Sequence, residues 1–89
     1  MSESVASVDR VTLDRLALRQ PATIVVVRPP FDAPEWLSRL EEIGFIAGEP
    51  VMLLARGAPG GDPLVVRVGD STFALRRAEA ECVAVELIR

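Results

Sequence analysis

The stretch LSRLEEIGFIAG, residues 37–48, runs almost directly into an apolar segment at Val51, and its reading decides the fold. Leu37, Leu40 and Ile43 recur at helical spacing and share one face. Gly44 follows where helices most often stop, because glycine enters the left-handed region without a steric penalty. Phe45 can then fold back on the last turn. Gly48 supplies a second bend, and a strand begins just past Pro50. One short helix is thus delivered onto a sheet with almost no slack. The rest of the chain has to supply the strands it packs against.

Upstream of this stretch, Asp32 is the expected N-cap and Pro34 is acceptable in a first turn. Glu35 stands four residues before Arg39, an orientation that supports a pair worth roughly 0.3–0.5 kcal/mol. Trp36, Leu37, Leu40 and Ile43 form the apolar stripe, and Ser38, Arg39, Glu41 and Glu42 the wet face. Ala22 to Arg28 is the first strand, β-branched and apolar on both faces. Pro29 and Pro30 end it, since neither can donate to a ladder. Thr12 is expected to cap a short helical turn whose Leu13 and Leu16 plug one end of the fold. Residues 1–10 read as a flexible N-terminus and residues 11–89 as the domain.

Downstream, Val51 to Ala55 is the second strand, and Arg56 to Pro63 a glycine- and proline-rich loop. Leu64 to Val68 alternates apolar and polar and is the third strand. Gly69 and Asp70 make a two-residue hairpin turn of the glycine-first kind, leading into Ser71 to Leu75. Arg77 to Glu81 is long enough for a single helical turn, and Cys82 to Leu87 closes the chain as the fifth strand. The class is mainly β: a small SH3-like five-stranded barrel with one short α-helix inserted after the first strand. An OB-fold is the alternative, but it usually carries its helix between the third and fourth strands.

Composition removes several functions. Eighty-nine residues make one domain, and a hydrophobic content of 49% supports a packed core. One tryptophan, three phenylalanines and no tyrosine leave that core to aliphatic residues. Ten cations, all arginine, face thirteen acids, for a net charge of −3. That balance argues against nucleic acid, whose phosphates require an excess of cations. The longest apolar runs fall far short of the ~20 residues that cross a bilayer, so no direct membrane insertion is expected. The opening residues carry no basic start and no long apolar run, so a cytoplasmic chain without a signal peptide is expected.

With no histidine, there is no imidazole ligand and no Ser–His or Cys–His pair. The single cysteine, Cys82, reads as a buried small hydrophobe. The glycines of the 57–61 loop lack the lysine of a phosphate cradle and precede a strand, so they read as a plain hairpin loop. Glu41 and Glu42 could supply oxygens to a hard cation, though a solvated helix face is the simpler reading. Trp36, the one indole, is either core or an anchor at a partner surface. No catalytic, cofactor-binding or metal residues are identified, and no cofactor is expected.

Leu40, Ile43, Gly44, Phe45, Gly48 and Val51 follow the order seen in the FeoA family of small cytoplasmic proteins. The likeness continues through Pro59, Gly60, Asp62, Pro63, Gly69, Ala74, Leu75, Arg76, Glu79 and Ala80, and it spans residues 12–88. No single motif is diagnostic; the ordered series is. The chain departs from the family at Gln20–Pro21 before the first strand, at Ala47 in the second turn, and in the long connection from Pro29 to Pro34. The same barrel resembles the C-terminal domain of DtxR-type repressors, without their winged helix.

The resemblance implies a non-enzymatic accessory protein of bacterial ferrous-iron uptake that binds the cytoplasmic GTPase region of the transporter FeoB. The partner surface it suggests comprises Trp36, Arg39, Glu41, Glu42, Arg56, Arg76 and Arg77. One alternative is that Arg56, Arg76 or Arg77 stimulates the partner's GTPase, as an arginine finger does. Against it stands pairing of these arginines with Glu79, Glu81 or Asp62. A stand-alone metal- or peptide-sensing SH3-like module is a further alternative, and homo-oligomerisation through exposed edges remains open.

Overall fold

The computed structural model describes residues 10–88. The expected flexible segment therefore lies, apart from Arg10, outside the described residues. Six strands form one antiparallel sheet in the order β1-β6-β2-β3-β4-β5. They are β1 (Arg10–Thr12), β2 (Ala22–Val27), β3 (Pro50–Arg56), β4 (Leu64–Val68), β5 (Ser71–Leu75) and β6 (Val83–Leu87). A 3-10 turn, Leu13–Arg15, follows β1, helix α1 (Trp36–Glu42) follows β2, and the single turn α2 (Arg77–Ala80) precedes β6.

All five expected strands form, and the mainly β, SH3-like class stands. The sixth, β1, lies where the sequence reading divided a free N-terminus from a capped turn. Three residues are too few to show a period, and β1 is a strand because Arg10, Val11 and Thr12 pair with Glu86, Val85 and Ala84. Thr12 does precede the turn, but its hydroxyl donates to Asp14 Oδ1 at 2.6 Å instead of accepting a backbone N–H.

The sheet curls at two irregularities, between Ile24 and Val26 on β2 and between Leu53 and Ala55 on β3. An extra residue there bends a strand and increases its twist. The concave side holds the core. Leu13, Leu16, Ile24, Phe45, Leu53, Leu64, Val66, Val83 and Val85 are fully buried, so the two leucines of the 3-10 turn do plug the fold. No polar or charged residue is buried among the described residues.

Helix α1 begins later than its expected cap. Asp32 lies in a turn, and the N-cap position belongs to Glu35, which makes no side-chain capping bond. Successive turn bonds from Ala33 N–H to Pro30 O, Trp36 N–H to Ala33 O and Leu37 N–H to Pro34 O lead the chain in. At the other end, Phe45 N–H reaches Leu40 O at 3.0 Å and Gly44 N–H reaches Glu41 O at 3.1 Å. With Gly44 at φ 114°, these bonds make a Schellman stop. The motif places Phe45 beside Leu40, and both are buried. Ile43, expected on the apolar stripe, is instead 36% exposed. It is the C-cap residue, where the chain leaves the helix, and Phe45 is the residue that is buried there.

The turn from Ile46 to Glu49 is closed by Glu49 N–H on Ile46 O at 3.0 Å, with Gly48 at φ 94°. Gly48 N–H and Glu49 O then bond Ile24 O and Ile24 N–H at 2.8 and 2.9 Å. The exit from α1 is thereby tied to the middle of β2. Val68 pairs with Ser71 across the two-residue Gly69–Asp70 turn, as expected.

Candidate partner-binding surface

Glu79 joins the two helical pieces. It sits at the third position of α2, where a carboxylate can reach back to the N-cap. Its Oε1 accepts the Arg76 N–H at 2.9 Å, and its Oε2 accepts Arg39 Nη2 at 3.0 Å. Only 16% of the Glu79 side chain is exposed, against 58% for Arg39, so the acid is the anchored partner. The Arg39 guanidinium also lies over the Trp36 ring, 5.8 Å from its centroid. That contact adds about 0.5–1 kcal/mol at an exposed site. Trp36 and Arg39 on α1 are thus held against the start of α2, and the expected Glu35–Arg39 pair gives way to a longer-range one. A second acid supports α2: Asp62 Oδ1 accepts the Arg77 N–H at 3.0 Å.

Of the residues singled out from sequence, Trp36, Arg39 and the Arg76–Arg77 corner are linked in this way. Trp36 is half-buried against the core, in line with the core reading, and its ring also carries Arg39. Arg76 and Arg77 are exposed, and among the described residues neither guanidinium makes an ion pair. Of the acids expected to neutralise them, Glu79 and Asp62 bind their backbone N–H groups instead. Arg56 is differently engaged: its Nη1 and Nη2 donate to Asp14 O at 3.0 Å and Leu16 O at 2.8 Å. It holds the carbonyls of the 3-10 turn. Glu41 and Glu42 are exposed on α1 and form no ion pair among the described residues.

Glu79 was legible only as a neutralising neighbour of the arginines, because its true partner, Arg39, lies 40 positions away. No sequence signal marks that pair. Among the described residues, no group of three or more Cys, His, Asp or Glu side chains converges to hold a metal ion. Glu41 and Glu42 alone do not make such a site. Cys82 is buried, its thiol donates to Ala78 O at 3.5 Å, and burial, reinforced by Glu81 and Glu79, pushes its pKa up. The protonated thiol this favours is a poor nucleophile. No helix among the described residues is long and apolar enough to cross a membrane.

No curated relative of the chain is found. The chain is similar to Stenotrophomonas maltophilia FeoA complexed with zinc, at 41% identity and a TM-score of 0.76, over 85% of this chain and 89% of that one. That protein is described as a prokaryotic SH3 domain protein and a candidate ferrous-iron transport activating factor. Iron(II) transport protein A from Clostridium thermocellum is 32% identical, with a TM-score of 0.74, over 88% of this chain and 46% of that one. A manganese-dependent transcriptional repressor shares the fold, with a TM-score of 0.74 at 21% identity, over 89% of this chain and 42% of the repressor. The FeoA domain model matches residues 11–87, which run from β1 to the last residue of β6, and the chain belongs to the FeoA domain family.

Proposed function

We propose that the chain is a cytoplasmic accessory protein of bacterial ferrous-iron uptake that acts by binding the cytoplasmic region of a FeoB-type transporter. The FeoA domain over residues 11–87 carries this reading, supported by 41% identity to a FeoA described as a candidate transport activating factor. Ferrous iron is the transporter's cargo here and not a resident ion of this chain. The contact surface comprises Trp36, Arg39 and the Arg76–Arg77 corner, with Glu41 and Glu42 on the flank. The test measures association of this protein with full-length FeoB and with its isolated cytoplasmic region, with and without guanine nucleotide. Binding that weakens on Trp36→Ala or Arg39→Ala supports the reading, and no association in any nucleotide state sinks it.

A second reading is favoured by one observation: the guanidiniums of Arg76 and Arg77 are exposed and unpaired among the described residues. Their backbone is fixed by Glu79 and Asp62, so either side chain can be presented to a partner from a firm base. An arginine offered in trans stabilises charge that develops during GTP hydrolysis. GTP turnover by FeoB that rises on addition of this protein, and falls back with Arg76→Ala or Arg77→Ala, is the expected result. Unchanged turnover removes this reading and leaves the first intact.

A further inference from the structure

A second group of three arginines lies apart from the surface just described and shares no residue with it. Arg10 on β1, Arg15 in the 3-10 turn and Arg28 just past β2 rim a groove of about 410 Å³ on the convex side of the sheet. Its floor includes Val25, Val26 and Ala84. The register explains the hollow. Ala84 on β6 pairs with Thr12 on one side and Val26 on the other, so the smallest side chain lies midway between two larger ones. Its neighbours Val83 and Val85 are buried, which turns Ala84 to the opposite face. The irregularity between Ile24 and Val26 brings two consecutive valines to the same side, where a regular strand would alternate.

Among the described residues, little competes for these charges. Arg10 makes a long contact with Glu86, 3.8 Å, between side chains that are both about half exposed. Among the described residues Arg15 and Arg28 make no ion pair. Three of the ten cations of a chain with net charge −3 therefore face one apolar hollow. Guanidiniums bind carboxylates through two parallel hydrogen bonds, a geometry that a flat charged surface does not need.

We propose that this groove binds an extended acidic segment of another protein, with an apolar side chain seated over Ala84 and flanking carboxylates held by Arg15 and Arg28. A concave floor suits one side chain and not a bilayer. The proposal does not rest on the transporter reading.

The probe is a labelled peptide of alternating glutamate and valine, titrated into the full chain, with its lysine–valine counterpart as control. Saturable, salt-sensitive binding of the acidic peptide alone is expected. Arg15→Gln and Arg28→Gln should each weaken it about tenfold, the loss of one charge-assisted contact. Ala84→Leu fills the hollow without changing charge and should abolish it. Amide shifts in the unsubstituted protein should cluster at Val25, Val26 and Ala84, a readout that needs no variant to fold. Equal binding of the lysine peptide, shifts clustered elsewhere, or binding to phosphatidylglycerol vesicles with the peptide inert would each overturn the proposal.

Discussion

Ala47 occupies the second position of the turn from Ile46 to Glu49, and Gly48 at φ 94° occupies the third. That is the type II arrangement, in which the second position suits proline. Among the described backbone bonds, none is donated by the Ala47 N–H. Ala47→Pro should therefore stabilise the protein by about 0.4–1 kcal/mol, chiefly by restricting the unfolded chain. Urea denaturation checks this, and a loss of stability would mean that the turn is not of this type. Cys82 makes a prediction in pH. Its thiol pKa is raised in the folded state above the ordinary value of 9.0, by burial first and then by Glu81 and Glu79. Above 9.0 the unfolded chain gives up the proton more readily than the folded one, so stability falls as pH rises. Its contribution is complete below 9.0 and lost on the way up to the folded value. Denaturation midpoints measured on either side of 9.0 should diverge more for this protein than for Cys82→Ala. Equal slopes would show that the thiol does not sense its burial. At this scale much was legible. A glycine after a helical stripe announces its stop, and a lone cysteine opening an apolar strand announces its burial. Ile43 was misplaced because spacing alone cannot distinguish the last helical residue from the cap.

Helix α1 is only seven residues long, too short to be stable by itself, and it depends on its tethers. One is the Schellman stop that seats Phe45 against Leu40. The other is Glu79, which accepts from Arg39 and from the Arg76 N–H at once. Glu79→Ala removes both bonds and should cost about 1–2 kcal/mol, the worth of a lost cap and an ion pair together. Paired with Arg39→Ala in a double-mutant cycle, it should show a coupling of roughly 0.5 kcal/mol that shrinks with salt. Zero coupling would mean that α1 is held by its apolar face alone. The strands were legible as elements because period-two alternation and turn residues bound them. Strand β1 was not, because its identity comes from its partner β6 and not from its own three residues. The same holds for the Arg39–Glu79 pair and for the bonds from Arg56 to Asp14 and Leu16: long-range contacts leave no local mark.

Across the whole molecule, the sheet order β1-β6-β2-β3-β4-β5 separates the two functional proposals onto different surfaces. The corner with Trp36, Arg39, Arg76 and Arg77 is assembled from helical pieces, and the arginine groove from the face of β1, β6 and β2. Residues brought to that groove are scattered from Arg10 to Ala84, so no window of sequence contains it. The topology also has a temporal meaning. Strand β6 comes after every other described element, yet it lies between the first two. As the ribosome makes this chain, β3, β4 and β5 can zip together as successive hairpins, while β1 waits unpaired and β2 has only its short pairing with β3. Strands that depend on distant partners form late and stay vulnerable in the interval. A ribosome-stalled chain ending before Val83 should be cut by protease between Arg10 and Val27, whereas one whose β6 has cleared the exit tunnel should resist there. Equal resistance would mean that the early strands settle without it. The last described strand is thus the one that completes the pairing of the first two, and this chain as it is made has an exposed window that closes only with β6.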